Sequence, residues 1–315
     1  MKTVSLSLLI LFVTILSGPV LDLTYQIKMP TLPADLDSYL TNLEKKYTDI
    51  TSGAEKKILW FDNNTKQKTQ YSIIYLHGFS ASRQEISPVV ETLGSEMKAN
   101  VFLTRFIGHG RSDDAMLEIT IDRLINDTVE AFEIGKRLGE KVIVVGTSTG
   151  ATLASWLAFQ KQFTELAGLI LISPNYGLKN KASEWLLKPW AKVYMPFIMG
   201  KQYQFTAQNE LQEKFWTTRY PSEALFPLMG TIKVVRDQSF SQLTLPVLVM
   251  YSKQDQVVDP DWIEKKYNEI ASQTKSLIEI KNSKGSQSHV LAGEILSPDS
   301  TDAVLSHIRE FLTKI

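Results

Sequence analysis

Apolar residues recur along this chain in two rhythms, and their alternation gives the first expectation of structure. Leu36, Leu40, Leu43 and Tyr47 fall three and four apart, the spacing of one helix face, which predicts a helix over 34–47. Short apolar, β-branched runs then appear at 57–61, 71–76 and 100–106, each bounded by polar residues, as strands buried on both faces are. Val89, Val90, Leu93 and Met97 mark a helix between them, with Ser87 as its cap and Pro88 at its first position. Ile121, Ile125, Val129 and Phe132 mark a longer helix over 121–138, with Gly139 as its stop. Val142–Val145 is a strand, 150–159 a helix and 169–172 a strand. A strand at 246–251, a helix opening at Asp259-Pro260, a strand at 277–280 and a helix at 299–312 complete the series.

Repeated strand–helix units with continuously apolar strands predict an α/β chain: a mostly parallel, doubly wound sheet with helices on both faces. The alternation breaks between Asn175 and Leu243. That stretch holds three of the six tryptophans and many other aromatics, among them Trp185, Trp190, Phe197, Tyr203, Trp216, Tyr220 and Phe226. It reads as an inserted helical cap over residues 175–243, dividing a core into 24–174 and 244–315.

Residues 1–23 stand apart. Lys2 precedes Val4–Leu16, an apolar run interrupted only by Ser5, Ser7 and Thr14, as in the first two regions of a secretory signal. Ser17-Gly18-Pro19 makes a poor cleavage site, and reading on to Leu23 gives about 20 mostly apolar residues, enough to span a bilayer. A cleaved signal and a retained membrane anchor both fit, and both export the rest of the chain, to the periplasm or medium or to the membrane surface.

Composition narrows the function mainly by exclusion. Of 315 residues, 43% are hydrophobic and 22% charged, as in an ordinary globular protein. Lys plus Arg balances Asp plus Glu at 34 each, so no global field favours nucleic acid. The absence of cysteine excludes disulfides, thiolate metal sites and a cysteine nucleophile.

The candidate chemistry centres on Gly146-Thr147-Ser148-Thr149-Gly150. This G-x-S-x-G follows a buried strand and opens a helix, so Ser148 sits on a sharp turn at the strand's end, where a nucleophile is exposed. A serine hydroxyl is a weak nucleophile until a base takes its proton and a third group holds the base. Of the four histidines, His289 lies in a loop after the last strand and is the candidate base. His307 sits on the flank of the terminal helix, and His77 and His109 brace loops at strand ends; those two lack the spacing of a metal site. Asp255 and Asp259 both follow the 246–251 strand. Asp259 precedes Pro260 and is more simply a helix cap, which leaves Asp255 the better partner for His289. Two backbone donors are expected to receive an oxyanion: Thr149 N–H, and Phe79 N–H in the loop His77-Gly78-Phe79.

HGFSAS at His77, GHGRS at Gly108, GTSTG at Gly146, SKQDQVVD at Ser252 and SHVLAG at Ser288 together resemble the α/β-hydrolase superfamily, in particular its bacterial esterase and monoacylglycerol-lipase-like branch. The likeness runs from about residue 58 to 311. It implies an α/β-hydrolase fold, a Ser148–His289–Asp255 triad, an oxyanion hole at Phe79 and Thr149, and a helical cap over the site. Thr149 and Ala151 depart from the bulkier residue and the glycine common at those places. The resemblance implies an esterase acting on short- to medium-chain or monoacylglycerol-like esters, with no cofactor and no metal. The aromatic cap suits an apolar acyl chain. Two rivals remain: an aminopeptidase or amidase with the same triad, whose free-amine site would draw on Glu184, Glu210, Glu213 or Glu223, and a non-catalytic anchored binding protein.

Overall fold

Strand placement follows directly from the apolar runs. The computed structural model describes residues 17–281 and 286–315, with Ser286 described only in its backbone. Seven strands form the main sheet: β1 (Lys57–Leu59), β2 (Thr69–Leu76), β3 (Asn100–Leu103), β4 (Gly139–Thr147), β5 (Leu166–Ile172), β8 (Val247–Tyr251) and β9 (Lys275–Glu279). Their order is β1-β3-β2-β4-β5-β8-β9; β1 runs antiparallel to β3 and every other neighbouring pair is parallel.

Successive side chains of a strand point to opposite faces, and each face has its own core. Ile74, Leu76, Val142, Val144, Leu169 and Leu171 pack beneath the helices Ile121–Leu138 and Thr149–Ala158. Ile73, Tyr75, Ile143, Val145, Ile170 and Ile172 face the helices Val89–Glu96 and Pro298–Leu312. Burial on both sides is why these strands read as unbroken apolar runs rather than as alternating ones.

Local starts and stops differ in detail from the expectations. Asp35 caps the first helix (Leu36–Glu44) by accepting Ser38 N–H at 3.0 Å, and Asp259 caps Pro260–Glu269. Ser87 is not a cap. Its hydroxyl donates to Glu91 Oε1 at 2.8 Å, and Pro88 precedes the helix instead of opening it. Gly139 ends its helix with extended backbone (φ −144°) and is already the first residue of β4.

Between β5 and β8 the insertion carries helices at Ala191–Met199, Glu210–Phe215 and Leu225–Arg236. It also holds a small antiparallel pair, β6 (Gln202–Gln204) with β7 (Arg219–Pro221), which the sequence pattern did not predict. Its aromatics divide: Tyr220, Phe226 and Phe240 are buried, while Trp185 and Phe197 stand in solvent, Phe197 88% exposed.

The leader reading falls mostly on residues 1–16, outside the described residues. Residues 17–28 form an extended strap that crosses the cap and then the Ile121–Leu138 helix. Pro19 O accepts Trp190 N–H at 2.9 Å, Gly18 abuts the Trp190 indole, and Leu21 packs into the cap's apolar cluster. Farther on, Gln26 N–H and Lys28 N–H donate to Asp122 and Asn126 at 2.9 and 2.7 Å. Among the described residues no helix is long and apolar enough to cross a membrane.

Candidate active site

The sheet itself says where to look. From β2 the chain moves outward to β3, then returns to the other side of β2 for β4 and continues to β5. Strand order therefore reverses between β2 and β4, and in open parallel sheets a crevice opens at such a point beyond the carboxyl ends. The loop 77–80 leaves β2 there, and Ser148 leaves β4 beside it.

Ser148 has φ 53° and ψ −118°, a conformation that costs a non-glycine residue about 1–3 kcal/mol. Neighbouring contacts hold it: Ser148 N–H donates to Ile172 O at 2.9 Å and Ser148 O accepts Thr152 N–H at 3.0 Å. Gly150 makes the turn possible, because a Cβ there would lie 1.9 Å from Leu76 O. The following helix can thus press directly on the end of β2.

Asp255 and His289 meet. His289 Nδ1 donates to Asp255 Oδ2 at 2.8 Å, and Asp255 Oδ1 accepts Val257 N–H at 2.7 Å and Val258 N–H at 2.9 Å. Gln256 N–H donates to Gln287 O, tying the two loops together. Burial works against a charged His289 ring, but the carboxylates of Asp255 and Glu85 outweigh it and raise its pKa. With Nδ1 committed to the carboxylate, the neutral ring presents Nε2 as an acceptor. Ser173 Oγ donates to His289 O at 2.7 Å, so the end of β5 braces both the loop that carries His289 and, through Ile172, Ser148. No hydrogen bond links Ser148 Oγ to His289 among the described residues. Asp259 goes elsewhere: it caps its helix and pairs with Lys181.

Thr149 follows Ser148 directly, and Phe79 follows Gly78, where a Cβ would lie 3.3 Å from Ser148 Cβ. Neither backbone N–H is engaged by an acceptor among the described residues, so both remain available to an incoming oxygen. The 77–80 loop is fixed from below by His77, whose Nε2 accepts Phe106 N–H at 3.1 Å while Nδ1 donates to Gly78 O at 2.8 Å. Desolvation drives the His77 pKa well down and that of His109 to about 4, so both rings are neutral braces. Phe79 stacks edge-on against His109 and the cap's Tyr220, and Thr217 N–H donates to Ser80 O at 2.7 Å. His307 stays on the flank of the last helix. Among the described residues no group of three or more His, Asp or Glu could hold a metal.

Three buried polar features were not read from the sequence. Glu85 accepts Gly78 N–H beneath the 77–80 loop, and Thr149 Oγ1 and Asn175 Oδ1 have no hydrogen-bond partner among the described residues. In sequence Glu85 is one more acid in a polar stretch, and nothing in its spacing marks it.

This sheet order, with a strained serine turn at its reversal and an acid–histidine pair from later loops, defines an α/β hydrolase. The chain belongs to the serine aminopeptidase S33 family, whose model matches residues 67–284, a span that includes Ser148 and Asp255 and stops short of His289. It is similar to the thermostable monoacylglycerol lipase of Bacillus sp. (strain H-257), 22% identical over 211 residues, covering 67% of this chain and 81% of that one. A shorter likeness, 27% over 116 residues (35% of this chain, 34% of the other), links it to protein phosphatase methylesterase 1 of Schizosaccharomyces pombe. Among solved structures, the metagenome-derived lipolytic enzymes LipS and LipT give a TM-score of 0.67 at 22% identity, with 84% of this chain and 100% of that one covered. The monoglyceride lipase of Saccharomyces cerevisiae gives 0.61 at 14% identity, covering 95% and 97%.

Proposed function

We propose that this chain is a serine hydrolase that cleaves carboxylic esters of short- to medium-chain or monoacylglycerol-like type through an acyl-enzyme on Ser148. The observation that carries the reading is the 2.8 Å bond between Asp255 and His289, which leaves Nε2 as a base at the crevice that presents Ser148. In the proposed cycle Ser148 Oγ attacks the ester carbonyl and its proton passes to His289 Nε2. Asp255 stabilises the imidazolium, and Phe79 N–H and Thr149 N–H receive the oxyanion. His289 then protonates the leaving alcohol, and water repeats the sequence on the acyl-enzyme. One such donor contributes about 3–4 kcal/mol to the transition state.

Esters are favoured over free-amine substrates by the cap's acids. Glu184 is engaged in a two-pronged pair with Arg236 at 2.6 and 2.9 Å, and Glu210, Glu213 and Glu223 are exposed. None is a buried, unpaired carboxylate waiting for an ammonium group. The apolar Phe79–Tyr220 contact beside the donor loop, and the monoacylglycerol lipase named among the relatives, support an apolar acyl chain. The run Val4–Leu16 supports an exported or membrane-anchored enzyme.

A panel of p-nitrophenyl esters from C2 to C16, given to wild type and Ser148→Ala, tests the reading. Hydrolysis should vanish or nearly vanish in the variant. Undiminished hydrolysis would reject the nucleophile, and cleavage of aminoacyl amides without esters would transfer the same site to peptides.

A further inference from the structure

Among the described residues Glu85 is the one carboxylate hydrogen-bonded to the 77–80 loop, and the catalytic cycle above makes no use of it. It is 2% exposed, in the segment between the loop 77–80 and the Val89–Glu96 helix. Its Oε2 accepts two hydrogen bonds, from Gly78 N–H at 2.7 Å and from Tyr75 O–H at 2.7 Å. Tyr75 OH in turn lies 3.2 Å from Thr147 Oγ1, the residue before the nucleophile. A Cβ on Gly78 would fall 2.6 Å from Glu85 Oε1 and 3.3 Å from Ser148 Cβ, so carboxylate and nucleophile crowd the same glycine. The third part of the machinery is also close. Gly293 packs on the Glu85 carbonyl, and Glu294 N–H donates to Ser87 O at 3.0 Å, which docks the His289 loop against this segment.

A buried carboxylate is costly to desolvate and persists where its hydrogen bonds and neighbouring positive charge offset that cost. Here both donors come from β2 and the loop it feeds. Holding Gly78 N–H fixes the plane of the preceding peptide and so sets the direction of the chain into Phe79, whose own N–H remains free.

We propose that Glu85 is a positioning residue of the hydrolase: its carboxylate anchors the oxyanion loop through Gly78 N–H, and its negative charge joins that of Asp255 in favouring the imidazolium of His289. The inference rests on the serine-hydrolase reading above. Among the described residues, the titratable groups that act on His289 are Asp255, from the loop after β8, and Glu85. Those facing Glu85 are Tyr75, from β2, and His289, with Glu91 beyond Tyr75. Burial raises the Glu85 pKa, against the lowering pull of Tyr75, Gly78 and His289, so its charge is lost at low pH before that of an ordinary glutamate.

Two variants separate anchor from charge. Glu85→Gln keeps an acceptor for Gly78 N–H and removes the charge; Glu85→Ala removes both. With the charge gone, His289 loses a neighbour that raised its pKa. The acidic limb of kcat/KM in Glu85→Gln should therefore move to lower pH, while its plateau kcat falls only several-fold. Glu85→Ala should lower kcat about 10²-fold with KM little changed, the scale of loss expected when a catalytic group is misplaced by about 1 Å. The His289 imidazole, titrated by NMR in wild type and Glu85→Gln, reads the charge effect without any substrate, and its midpoint should fall in the variant. An unmoved NMR midpoint, or equal kcat in the Gln and Ala variants, overturns the proposal. Should Glu85→Ala fail to fold, the Gln variant and the NMR titration still decide. Wild type inactive on every ester, with the midpoint shifted as expected, would sink the esterase reading and leave the charge coupling standing.

Discussion

Replacing Asp255 by Asn removes one negative charge and almost nothing else. Oδ1 goes on accepting Val257 N–H and Val258 N–H, at 2.7 and 2.9 Å, so the loop keeps its shape. The other terminal atom becomes an NH2 group facing His289 Nδ1 across 2.8 Å. Two N–H groups cannot face each other there, so the ring must move its proton to Nε2, where it can no longer accept one from Ser148. The charge that favours the imidazolium disappears as well. In serine hydrolases of this arrangement such a change lowers kcat about 10⁴-fold, and four decades at 1.36 kcal/mol each amount to about 5.4 kcal/mol of lost transition-state stabilisation. The assay is the initial rate on p-nitrophenyl butyrate, with a thermal melt to establish that the fold is intact. Asp259→Asn is the matched control. Asn caps a helix about as well as Asp, and the lost partner, Lys181, is on the surface. Its kcat should stay within about twofold of wild type. Asp255→Asn retaining more than about a tenth of wild-type kcat, with the fold intact, would refute the reasoning, and so would equal damage from Asp259→Asn.

Because His289 must be neutral to act as a base and its pKa is raised above the usual 6.5, kcat/KM should fall as pH drops through a limb lying above 6.5. A pH–rate profile with its limb below that value would contradict the geometry. Gly150→Ala drives a methyl group to 1.9 Å from Leu76 O; backbone on both sides must shift, at a cost of about 3 kcal/mol or more, read as a lowered Tm or loss of soluble protein. Arg236, 9% exposed, joins Glu184 and lies over the Trp262 ring of the Pro260–Glu269 helix. Arg236→Ala should cost about 1.5–3 kcal/mol and speed proteolysis within the cap; an unchanged cleavage pattern would argue against a latch between cap and core.

The buried strands were legible because burial on both faces leaves one kind of sequence, an unbroken apolar run, and Val142–Val145 is such a run. The serine turn was legible for a different reason: Gly150 is compelled by the approach of Leu76 O, so the glycines of the motif record a steric fact. Asp255 and His289 could be named in order, but their 34-residue separation gave no distance; the loops that unite them are fixed by Gln256 N–H on Gln287 O. Other features left no such trace. Gln202–Gln204 and Arg219–Pro221 are three residues each, and in both a single strand-favouring tyrosine, Tyr203 or Tyr220, is flanked by residues with little strand preference. The strap at 17–28 has no strand partner among the described residues, and its anchors, Asp122 and Asn126, look like the polar face of any helix. Glu85 becomes meaningful only when β2 folds back over it.

That strap has a mechanical consequence. Ser17 is the first described residue, and within two residues the chain is bonded to Trp190 at the start of a cap helix. The cap is therefore held along the strap as well as at its junctions with β5 and β8 and by contacts such as Thr217 N–H on Ser80 O and Arg236 over the Trp262 ring. A load applied at Ser17 reaches Trp190 of the cap before it reaches the sheet. Trimming residues 17–22 would leave the bonds of Gln26 and Lys28 to the Ile121–Leu138 helix while releasing Trp190 and the cluster that holds Leu21. Pulled from Ser17, this molecule would take the strain first at the start of a cap helix.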